Sequence, residues 1–385
     1  SPGINPPAIW YWRESERSGS VESTVRISTA RTTMHAFAIF QDDHTVTDVE
    51  LPTPTPEGTE ILLRVVRSGV CHTDMHLREG YYDLGSRGRL NLIDRGVTYP
   101  LVLGHEVVGV VEAAGPDADG VSPGEHRLVY PWIGDGSCDA CQAGHENLCP
   151  SPRNLGVARH GGYAEFILVP HPRYLLDVTG IEERWAATLA CSGLTAYSAA
   201  RKALPATASD PVVVIGAGGV GLMAIATLRA LGHEAVLAVD LQERNLELAR
   251  QLGATTTISA RQEDLAAAIV AGAGGPVAAI VDFVNNSTTA PAAFAALRKG
   301  GTMVQVGLFG GELVIPTALL TLKIITIRGS FVGSLGELEE LVGLARRGAL
   351  PHLPIIDGEL SATAVQDALD RLAAGGVPGR IVLSA

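Results

Sequence analysis

The stretch that begins at Pro211 constrains the fold most, because runs typical of buried strands alternate there with helical patterns that end in glycine. It opens with PVVVIGAGGVGL and continues through EAVLAVD, VAAIVDFV and TMVQVGL, with apolar helical segments between these runs. Nearly continuous apolar strands separated by helices are typical of a parallel sheet covered by helices on both faces. The pattern predicts a doubly wound α/β domain, to which we assign residues 186–330.

The turn after the first of these strands carries Gly216, Gly218 and Gly221 in the spacing G-x-G-x-x-G, with Gly219 in the same turn. Glycine permits the tight turn, lets the backbone approach a pyrophosphate and lets the helix pack closely on the strand. Asp240 ends the next strand, where a carboxylate accepts ribose hydroxyls and repels a 2′-phosphate. Strand, glycines, helix and acid together predict an NAD site; Asp240 alone could instead cap the next helix.

The rest of the chain has a different sequence pattern. Short strands broken by glycine and proline, as in LPTPTPEG, predict a β-rich domain over residues 34–185. The irregular segment 331–385 is expected to return to that domain. A length of 385 residues is large for one hydrophobic core and favours two domains. Residues 1–33 resemble neither a signal nor a transit peptide, and we expect a flexible leader or an added segment there.

Composition excludes two classes of partner and suggests a compartment. The net charge of -12 repels a phosphate backbone, so nucleic-acid binding is not expected. No apolar run approaches the roughly 18 to 20 residues that cross a bilayer, so we expect no membrane partner. Five cysteines are too few for a disulfide framework, and three of them lie close together. This favours thiolate ligands in a reducing compartment, the cytoplasm.

The segment 134–150, GDGSCDACQAGHENLCP, groups Cys138, Cys141 and Cys149. A C-x-x-C pair with a third cysteine eight residues later indicates zinc, since a tetrahedral thiolate site takes two ligands from one tight turn and more from a nearby return. A disulfide would leave one of the three thiols unpaired. The spacing therefore predicts a structural zinc site.

A closed zinc site needs a fourth ligand. Continuing the three-residue spacing backwards from Cys138 reaches Asp135, and carboxylate oxygen is an accepted zinc ligand. Asp135 is the predicted ligand. Asp139 and His145 stay open as alternatives, as does a vacant or partly occupied site.

The two other cysteines, Cys71 and Cys191, stand alone in apolar segments, where a buried inert thiol is the ordinary interpretation. Their polar neighbours in the sequence suggest a metal site. The first lies in GVCHTDMH, and GHEVVG places His105 and Glu106 between the two in sequence. Two thiolates and one imidazole would leave a tetrahedral zinc with one open position, which is typical of a catalytic site.

From Met34 to Ala385 the chain resembles the zinc-dependent medium-chain alcohol dehydrogenases. The matching segments, in order, are GVCHTDMH, GHEVVG, the cysteine segment with ENLCP, GGYAEF, CSGLTAYSA, VIGAGGVG, VD and GRIVLSA. The resemblance implies a GroES-like catalytic domain and a Rossmann cofactor domain, with the active site in the cleft between them. It also implies a homodimer or homotetramer with one catalytic and one structural zinc per chain.

The activity implied is reversible hydride transfer between a small primary or secondary alcohol and NAD, giving an aldehyde or ketone. A zinc polyol or sugar dehydrogenase of the same superfamily is an alternative, although many of those lack the cysteine found here at Cys191. A non-catalytic scaffold that binds NAD and zinc is another, although a scaffold has no need of an open metal site.

The resemblance also assigns roles at the metal. It implies that the catalytic zinc ligands are Cys71, His105 and Cys191. Glu106 is similar to the acid that approaches the metal, and Asp74 to the carboxylate that orients the zinc histidine.

For proton transfer and cofactor binding, the resemblance places Thr73 at the hydroxyl of the proton relay and His76 at its outer histidine. His72 and Arg380 correspond to residues that contact the cofactor phosphates.

Two departures from the family are visible. Asp135 stands where the family usually has the first cysteine of the structural zinc site. Residues 81–100, YYDLGSRGRLNLIDRGVTYP, are inserted before His105, and we expect them to lie over the active-site mouth or at a subunit contact. Trp132 is expected either to narrow the substrate pocket or to fill the core.

Overall fold

The strands in the first half of the chain are short, because turn residues interrupt them at close intervals. The computed structural model describes residues 32–41, 43–204, 207–375 and 377–385, so residues 1–31 of the expected leader lie outside the described part. The first ten strands are β1 (Thr33–Phe40), β2 (Asp43–Pro52), β3 (Ile61–Val70), β4 (Tyr81–Asp83), β5 (Arg89–Asn91), β6 (Leu101–Val102), β7 (Glu106–Ala114), β8 (His126–Val129), β9 (Phe166–Val169) and β10 (Leu175–Asp177).

Few helices accompany these strands. They are α1 (His72–Glu79), α2 (Asp139–Gln142), α3 (Glu183–Thr188) and α4 (Leu194–Ala203), with a π-helical turn, Leu189–Gly193, between the last two. β2, β1 and β6 form a three-stranded sheet, and β4 pairs with β5 as a hairpin. The larger sheet has the order β10-β8-β7-β3, with β9 also beside β3.

The second half of the chain alternates strands and helices. It contains β11 (Val212–Ile215), α5 (Gly219–Ala230), β12 (Val236–Asp240), α6 (Glu243–Gln251), β13 (Thr256–Ser259), α7 (Leu265–Ala273), β14 (Val277–Asp282), α8 (Thr289–Ala296), β15 (Leu297–Gln305), α9 (Thr317–Lys323) and β16 (Thr326–Gly329). All six strands run parallel in the order β13-β12-β11-β14-β15-β16. The predicted doubly wound sheet is confirmed.

The position of β11 explains where a ligand can bind. Its neighbours are β12 on one side and β14 on the other, so the strand order reverses at β11. The loops after these strands therefore diverge and leave a crevice at the carboxyl ends, which is where open α/β sheets bind ligands. The four residues of β11 are fully buried, as expected of a central strand covered on both faces.

The last segment joins the first sheet again. It contains α10 (Leu335–Arg346), β17 (Ile355–Glu359), α11 (Ala362–Ala373) and β18 (Arg380–Ser384). β18 pairs antiparallel with β3, and β17 pairs parallel with β18, which extends the β-rich sheet to seven strands. This course agrees with the expected return of residues 331–385, although the residue bounds of the two domains stay predictions.

One apolar cluster runs through both regions. It contains Val108 and Leu128 of the β-rich sheet, the fully buried Trp185 of α3, and Leu222 of α5. The helices α3 and α4 thus connect the two sheets through packed side chains rather than through a solvated linker. Among the described residues, no helix has the length and apolar character needed to cross a bilayer.

Candidate active site between the two sheets

The pairing of β3 with β7 brings the first metal-binding candidates together. Gly69 lies opposite Glu106 in the antiparallel ladder. Cys71, directly after β3, and His105, directly before β7, therefore lie at neighbouring strand ends. A Cβ atom at Gly69 would lie 2.1 Å from Glu106 Oε2, so only glycine fits at this point of the register. Cys191 comes from the π-helical turn Leu189–Gly193 of the connecting helices. Such turns are rare and occur often at functional sites.

The side chains of Cys71, His105 and Cys191 form a buried donor set. One ligand atom of each lies within 4.8 Å of the others, and the two sulfur atoms are 3.7 Å apart. Two sulfurs bound to one tetrahedral zinc at about 2.3 Å lie roughly 3.8 Å apart. Neither ring nitrogen of His105 makes a hydrogen bond, although Asp74 lies within ion-pair distance of Nδ1, so Nε2 is left for a metal. The residues present therefore fit a zinc ion.

Asp74 orients this histidine. Its Oδ1 atom lies 3.1 Å from His105 Nδ1, and both side chains are fully buried. Burial acts to lower the pKa of His105, but Asp74 and Cys71 outweigh it and raise that pKa well above the ordinary value. A carboxylate at Nδ1 directs Nε2 to the metal, an arrangement that is common for metal-binding histidines.

Glu106 and Arg380 form a buried ion pair beside the donor set. Arg380 Nη2 donates to Glu106 Oε2 at 2.7 Å and to the Val70 carbonyl at 2.9 Å, while Ser192 N donates to Glu106 Oε1 at 3.0 Å. Burial raises the pKa of Glu106, and Arg380 opposes that rise. The guanidinium thus holds a carboxylate beside the predicted metal, in addition to its expected contact with cofactor phosphates.

The predicted relay residues lie on α1. Thr73 Oγ1 is 3.8 Å from Cys71 Sγ, and the ring of His76 packs against Tyr82 at a centroid distance of 5.0 Å. His72 packs against Phe309 at 5.5 Å. Burial lowers the pKa of both histidines, so the neutral imidazole is favoured at pH 7.

A cavity of about 720 Å³ joins the metal donors to the glycine turn. Its wall includes Cys71, Cys191 and Thr73 as well as Gly218 and Asp240. Arg380 also lines it, and a Cβ atom at Gly219 would lie 2.7 Å from Arg380 Cδ. Residues predicted from separate motifs therefore share one cavity, whereas His105 is not part of its wall.

The glycine turn has the geometry that its sequence predicts. Gly216 has a φ of 87°, a conformation that favours glycine, and a Cβ atom at Gly221 would lie 1.8 Å from the Gly216 carbonyl oxygen. A Cβ at Gly218 would meet no atom within 4 Å, so this backbone faces open space. The amides at the start of α5 are thereby accessible to an anion.

Asp240 ends β12 at the edge of the same cavity. Its Oδ2 accepts a hydrogen bond from Ala217 N at 2.7 Å, and its Oδ1 accepts from Gln242 N at 2.8 Å. The N-cap residue of α6 is Gln242, so Asp240 is not the helix cap. It connects the glycine turn to the start of the next helix.

A second group of donors lies in the segment 134–150, here called the cysteine lobe. Asp135, Cys138, Cys141 and Cys149 each offer an atom within 4.8 Å of the others. Asp135 Oδ1 accepts hydrogen bonds from Ser137 N at 2.8 Å and Cys138 N at 3.0 Å, which hold the pKa of this carboxyl well below its usual range.

The donor set of the cysteine lobe fits zinc, because three thiolates and one carboxylate supply four accepted ligands. Asp139 and His145, the alternative fourth ligands, are not part of this group. Among the described residues, this set and the buried set of Cys71, His105 and Cys191 are the groups of three or more donors close enough to share a metal.

Several residues near the site lack a motif in the sequence. Trp132 is buried with its ring 5.2 Å from that of His105, and its Nε1 donates to the Ala190 carbonyl at 3.0 Å, so it belongs to the core. Phe331 packs edge-on against Trp132 and is 48% exposed, and both it and Phe309 line the cavity. Isolated aromatic residues in irregular segments carry no periodicity that could have indicated this position.

The inserted segment 81–100 contacts both halves of the molecule. Tyr82 packs on His76, as described above. Ser86 Oγ donates to Glu312 Oε1 at 2.9 Å, in the loop that follows β15. The segment therefore lies beside His76 and reaches the half of the molecule that contains the parallel sheet.

Known proteins are similar to this chain over most of its length. Two family models match: the alcohol dehydrogenase GroES-like domain over residues 57–179, and the zinc-binding dehydrogenase over residues 219–347. An NAD-dependent alcohol dehydrogenase of Sulfurisphaera tokodaii is 37% identical over 337 residues, which cover 87% of this chain and 95% of that protein.

Solved structures give the same result. The alcohol dehydrogenase from Aeropyrum pernix superposes with a TM-score of 0.81 at 30% identity, covering 91% of this chain and 100% of the other. Acetophenone reductase from Geotrichum candidum, solved in complex with NAD, gives 0.81 at 27% identity, covering 93% and 99%.

Proposed function

Because the chain belongs to the zinc-dependent medium-chain alcohol dehydrogenases, we propose that it transfers hydride reversibly between a primary or secondary alcohol and NAD. The product is an aldehyde or a ketone. The observation that carries this proposal is the buried set of Cys71, His105 and Cys191, whose two cysteines line the same cavity as the glycine turn. A metal-binding end and a dinucleotide-binding end in one cavity suit this chemistry.

The metal and the cofactor supply the reactive groups. Cys71, His105 and Cys191 would hold a zinc ion, which would supply a Lewis acid for the alcohol oxygen, and NAD bound at the glycine turn would supply the hydride acceptor. The chain's own residues hold the two in register and remove the proton. Thr73 would take the alcohol proton on Oγ1 and give up its own hydroxyl proton, by way of the nicotinamide ribose, to His76, which would release a proton to solvent. Because burial lowers the pKa of His76, its ring is neutral at pH 7 and can accept that proton.

NAD is the cofactor that this site favours. The amides at the start of α5 face the open end of the cavity, where a pyrophosphate can bind. The Asp240 carboxylate lies at the edge of the same cavity, where it would repel the 2′-phosphate of NADP. His72 and Arg380 line the cavity between these two points and supply the positive charge or hydrogen bonds for the phosphates.

We also propose a second, structural zinc in the cysteine lobe, so that each chain holds two. Its support is the convergence of Asp135, Cys138, Cys141 and Cys149. A structural site has all four positions filled by protein, which leaves none for a substrate. Free thiols that serve as metal ligands agree with a reducing compartment, so we place the protein in the cytoplasm.

The assembly we propose is a homodimer or homotetramer. β16 is the last strand at one edge of the parallel sheet. Beside it, Val314 is 78% exposed, Leu322 68% and Ile324 63%, and α9 has no buried residue. An exposed strand edge with apolar neighbours is unfavourable in water, and pairing with a second copy would cover it.

A substrate panel tests the proposed activity. Primary, secondary and polyol alcohols should be incubated with NAD or NADP and followed at the nicotinamide absorbance, with zinc counted per chain. The proposal expects NAD-dependent oxidation of simple alcohols and two zinc ions. Preference for polyols would favour the sugar dehydrogenase alternative, and metal and NAD binding without turnover would favour a scaffold.

A further inference from the structure

A buried segment next to the metal donors has no role in the mechanism above. Residues 161–163 run beside residues 102–104, the segment that leads into His105. Gly161 N donates to the Val102 carbonyl at 2.8 Å, Gly162 N to Gly104 at 2.8 Å, and Tyr163 N to Leu103 at 3.0 Å. The backbone that presents His105 is therefore fixed by the backbone that presents Tyr163.

The Tyr163 side chain is also fully buried at this point. Its ring packs on Gly104, which has a φ of 89°, and a Cβ atom there would lie 2.6 Å from the ring. Its hydroxyl donates to Asp74 Oδ2 at 3.0 Å and lies 3.3 Å from the Gly69 carbonyl. Burial and the Asp74 charge raise the pKa of Tyr163 well above the ordinary value, so the phenol keeps the proton that it donates.

The other partners of Asp74 show what this hydrogen bond does. Oδ2 accepts from Cys71 N at 2.9 Å in addition to Tyr163, while Oδ1 accepts from Gly104 N at 3.2 Å and faces His105 Nδ1. Each oxygen of the buried carboxylate thus has a backbone donor and one side-chain partner. Tyr163 is the side-chain partner on the oxygen away from His105.

We propose that Tyr163 is a positioning residue for the metal-binding histidine, acting through Asp74. Tyr163, Asp74 and His105 form a buried chain that ends at the ring nitrogen reserved for the metal. The proposal rests on the proposed function, because it requires that His105 binds zinc. It concerns a residue that touches neither substrate nor cofactor, so its effect should appear in metal retention before it appears in substrate binding.

The test is Tyr163→Phe, which removes one oxygen and keeps the ring. The zinc-loaded protein is challenged with a chromogenic chelator, and the release phase that coincides with loss of activity reports the active-site zinc. Loss of an outer partner of a metal-binding residue costs about 10- to 100-fold in metal affinity. We expect this phase to become about 10-fold faster, with the KM for NAD unchanged.

Tyr197→Phe is the matched control. Tyr197 is also a buried tyrosine whose hydroxyl donates to a carboxylate, Glu340 Oε2, at 2.6 Å, but among the described residues the polar partners of that carboxylate are Tyr197 and Arg201. Its release rate should match wild type. After exchange with Co²⁺, the ligand-field spectrum should shift in Tyr163→Phe and stay unchanged in Tyr197→Phe, which a general loss of stability would not produce.

Asp74→Asn completes the test. If Tyr163 acts through Asp74, adding Tyr163→Phe to Asp74→Asn should accelerate release by less than the single change does in wild type. Equal release rates and spectra for Tyr163→Phe and Tyr197→Phe would overturn the Tyr163 proposal alone. A wild-type protein that loses no activity as its zinc leaves would overturn the proposed function, and this proposal with it.

Discussion

The buried donor set and the cysteine lobe use similar ligands but are built in different ways. The four lobe donors lie between residues 135 and 149, and Asp135 and Cys138 are partly exposed. Cys71 and Cys191 are 120 residues apart, and all three donors of the buried set are buried. The lobe is a property of one short segment, whereas the buried set is a property of the whole tertiary structure.

The residues around the two donor sets also differ in how far apart they are in the sequence. A buried carboxylate attaches the lobe to the turn before β10: Glu146 Oε2 accepts from Gly134 N at 2.9 Å and from Tyr174 Oη at 2.8 Å, and Glu146 also pairs with Arg173. Around the buried set, Asp74, Glu106 and Arg380 come from three different elements. Damage to the lobe should therefore stay local, and damage to the buried set should remove function.

The largest effect is expected for Cys71→Ser. Zinc supplies several kcal/mol of transition-state stabilisation, and about 1.4 kcal/mol corresponds to a tenfold rate change, so turnover should fall by at least about 10³-fold. The lobe zinc should remain, giving one zinc per chain, and NAD should still bind. Steady-state kinetics, metal analysis and NAD titration check this. Loss of both metals would contradict the independence of the two sites.

A smaller effect is expected from pH. Burial lowers the pKa of His76, so the ring is neutral above that pKa and takes a proton as the pH falls through it. A protonated His76 cannot accept the alcohol proton, so kcat for oxidation should decline on the acid side, below about pH 6.5. The profile of kcat against pH measures this decline.

His76→Gln serves as the comparison for that profile. It should lower kcat by about 10-fold near neutral pH and remove the acid limb. A lobe variant such as Cys138→Ser should show the same decline of kcat at acidic pH as the wild type. An unchanged limb in His76→Gln would exclude His76 from the relay.

Cys138→Ser should affect stability more than turnover. Without its thiolate, the lobe loses its zinc and its local order, because a structural metal contributes folding energy directly. We expect the unfolding midpoint to fall by several degrees while kcat at 25 °C stays within about threefold of wild type. Thermal denaturation and kinetics on the same preparation separate the two. A large loss of kcat in Cys138→Ser under conditions where the variant is fully folded would show that the lobe contributes to the active site.

The smallest effect is expected for Asp135→Cys, which replaces a carboxylate ligand by a thiolate of the same charge. Activity should not change. Lobe zinc should be released several-fold more slowly to a chelator, because the hard carboxylate oxygen is replaced by a softer thiolate like those of the other three ligands. Asp135→Ala is the paired variant and should release zinc faster than wild type. Identical release in all three proteins would exclude Asp135 as a ligand.

The sequence predicted some parts of this site well because their geometry is local. The C-x-x-C spacing and the Gly216, Gly218 and Gly221 turn each describe a few consecutive dihedral angles, and the structure shows the corresponding convergence of lobe donors and the positive φ at Gly216. The partnership of Arg380 with Glu106 could not be read in this way, because β18 must first pair with β3. Tyr163, Phe309 and Phe331 likewise have positions that no spacing describes.

By itself, then, the sequence determined the parallel sheet, the glycine turn and the grouping of the three lobe cysteines, since hydrophobic period and short spacing dictate local structure directly. Only the tertiary structure decided that Cys71, His105 and Cys191 meet, that Trp132 lies in the core against His105, and that Tyr163 reaches Asp74. The reason is physical: contacts between residues far apart in the chain depend on the register of β3 with β7 and on the packing of α3 and α4. Those arrangements are set by the burial of many side chains together, not by any one segment.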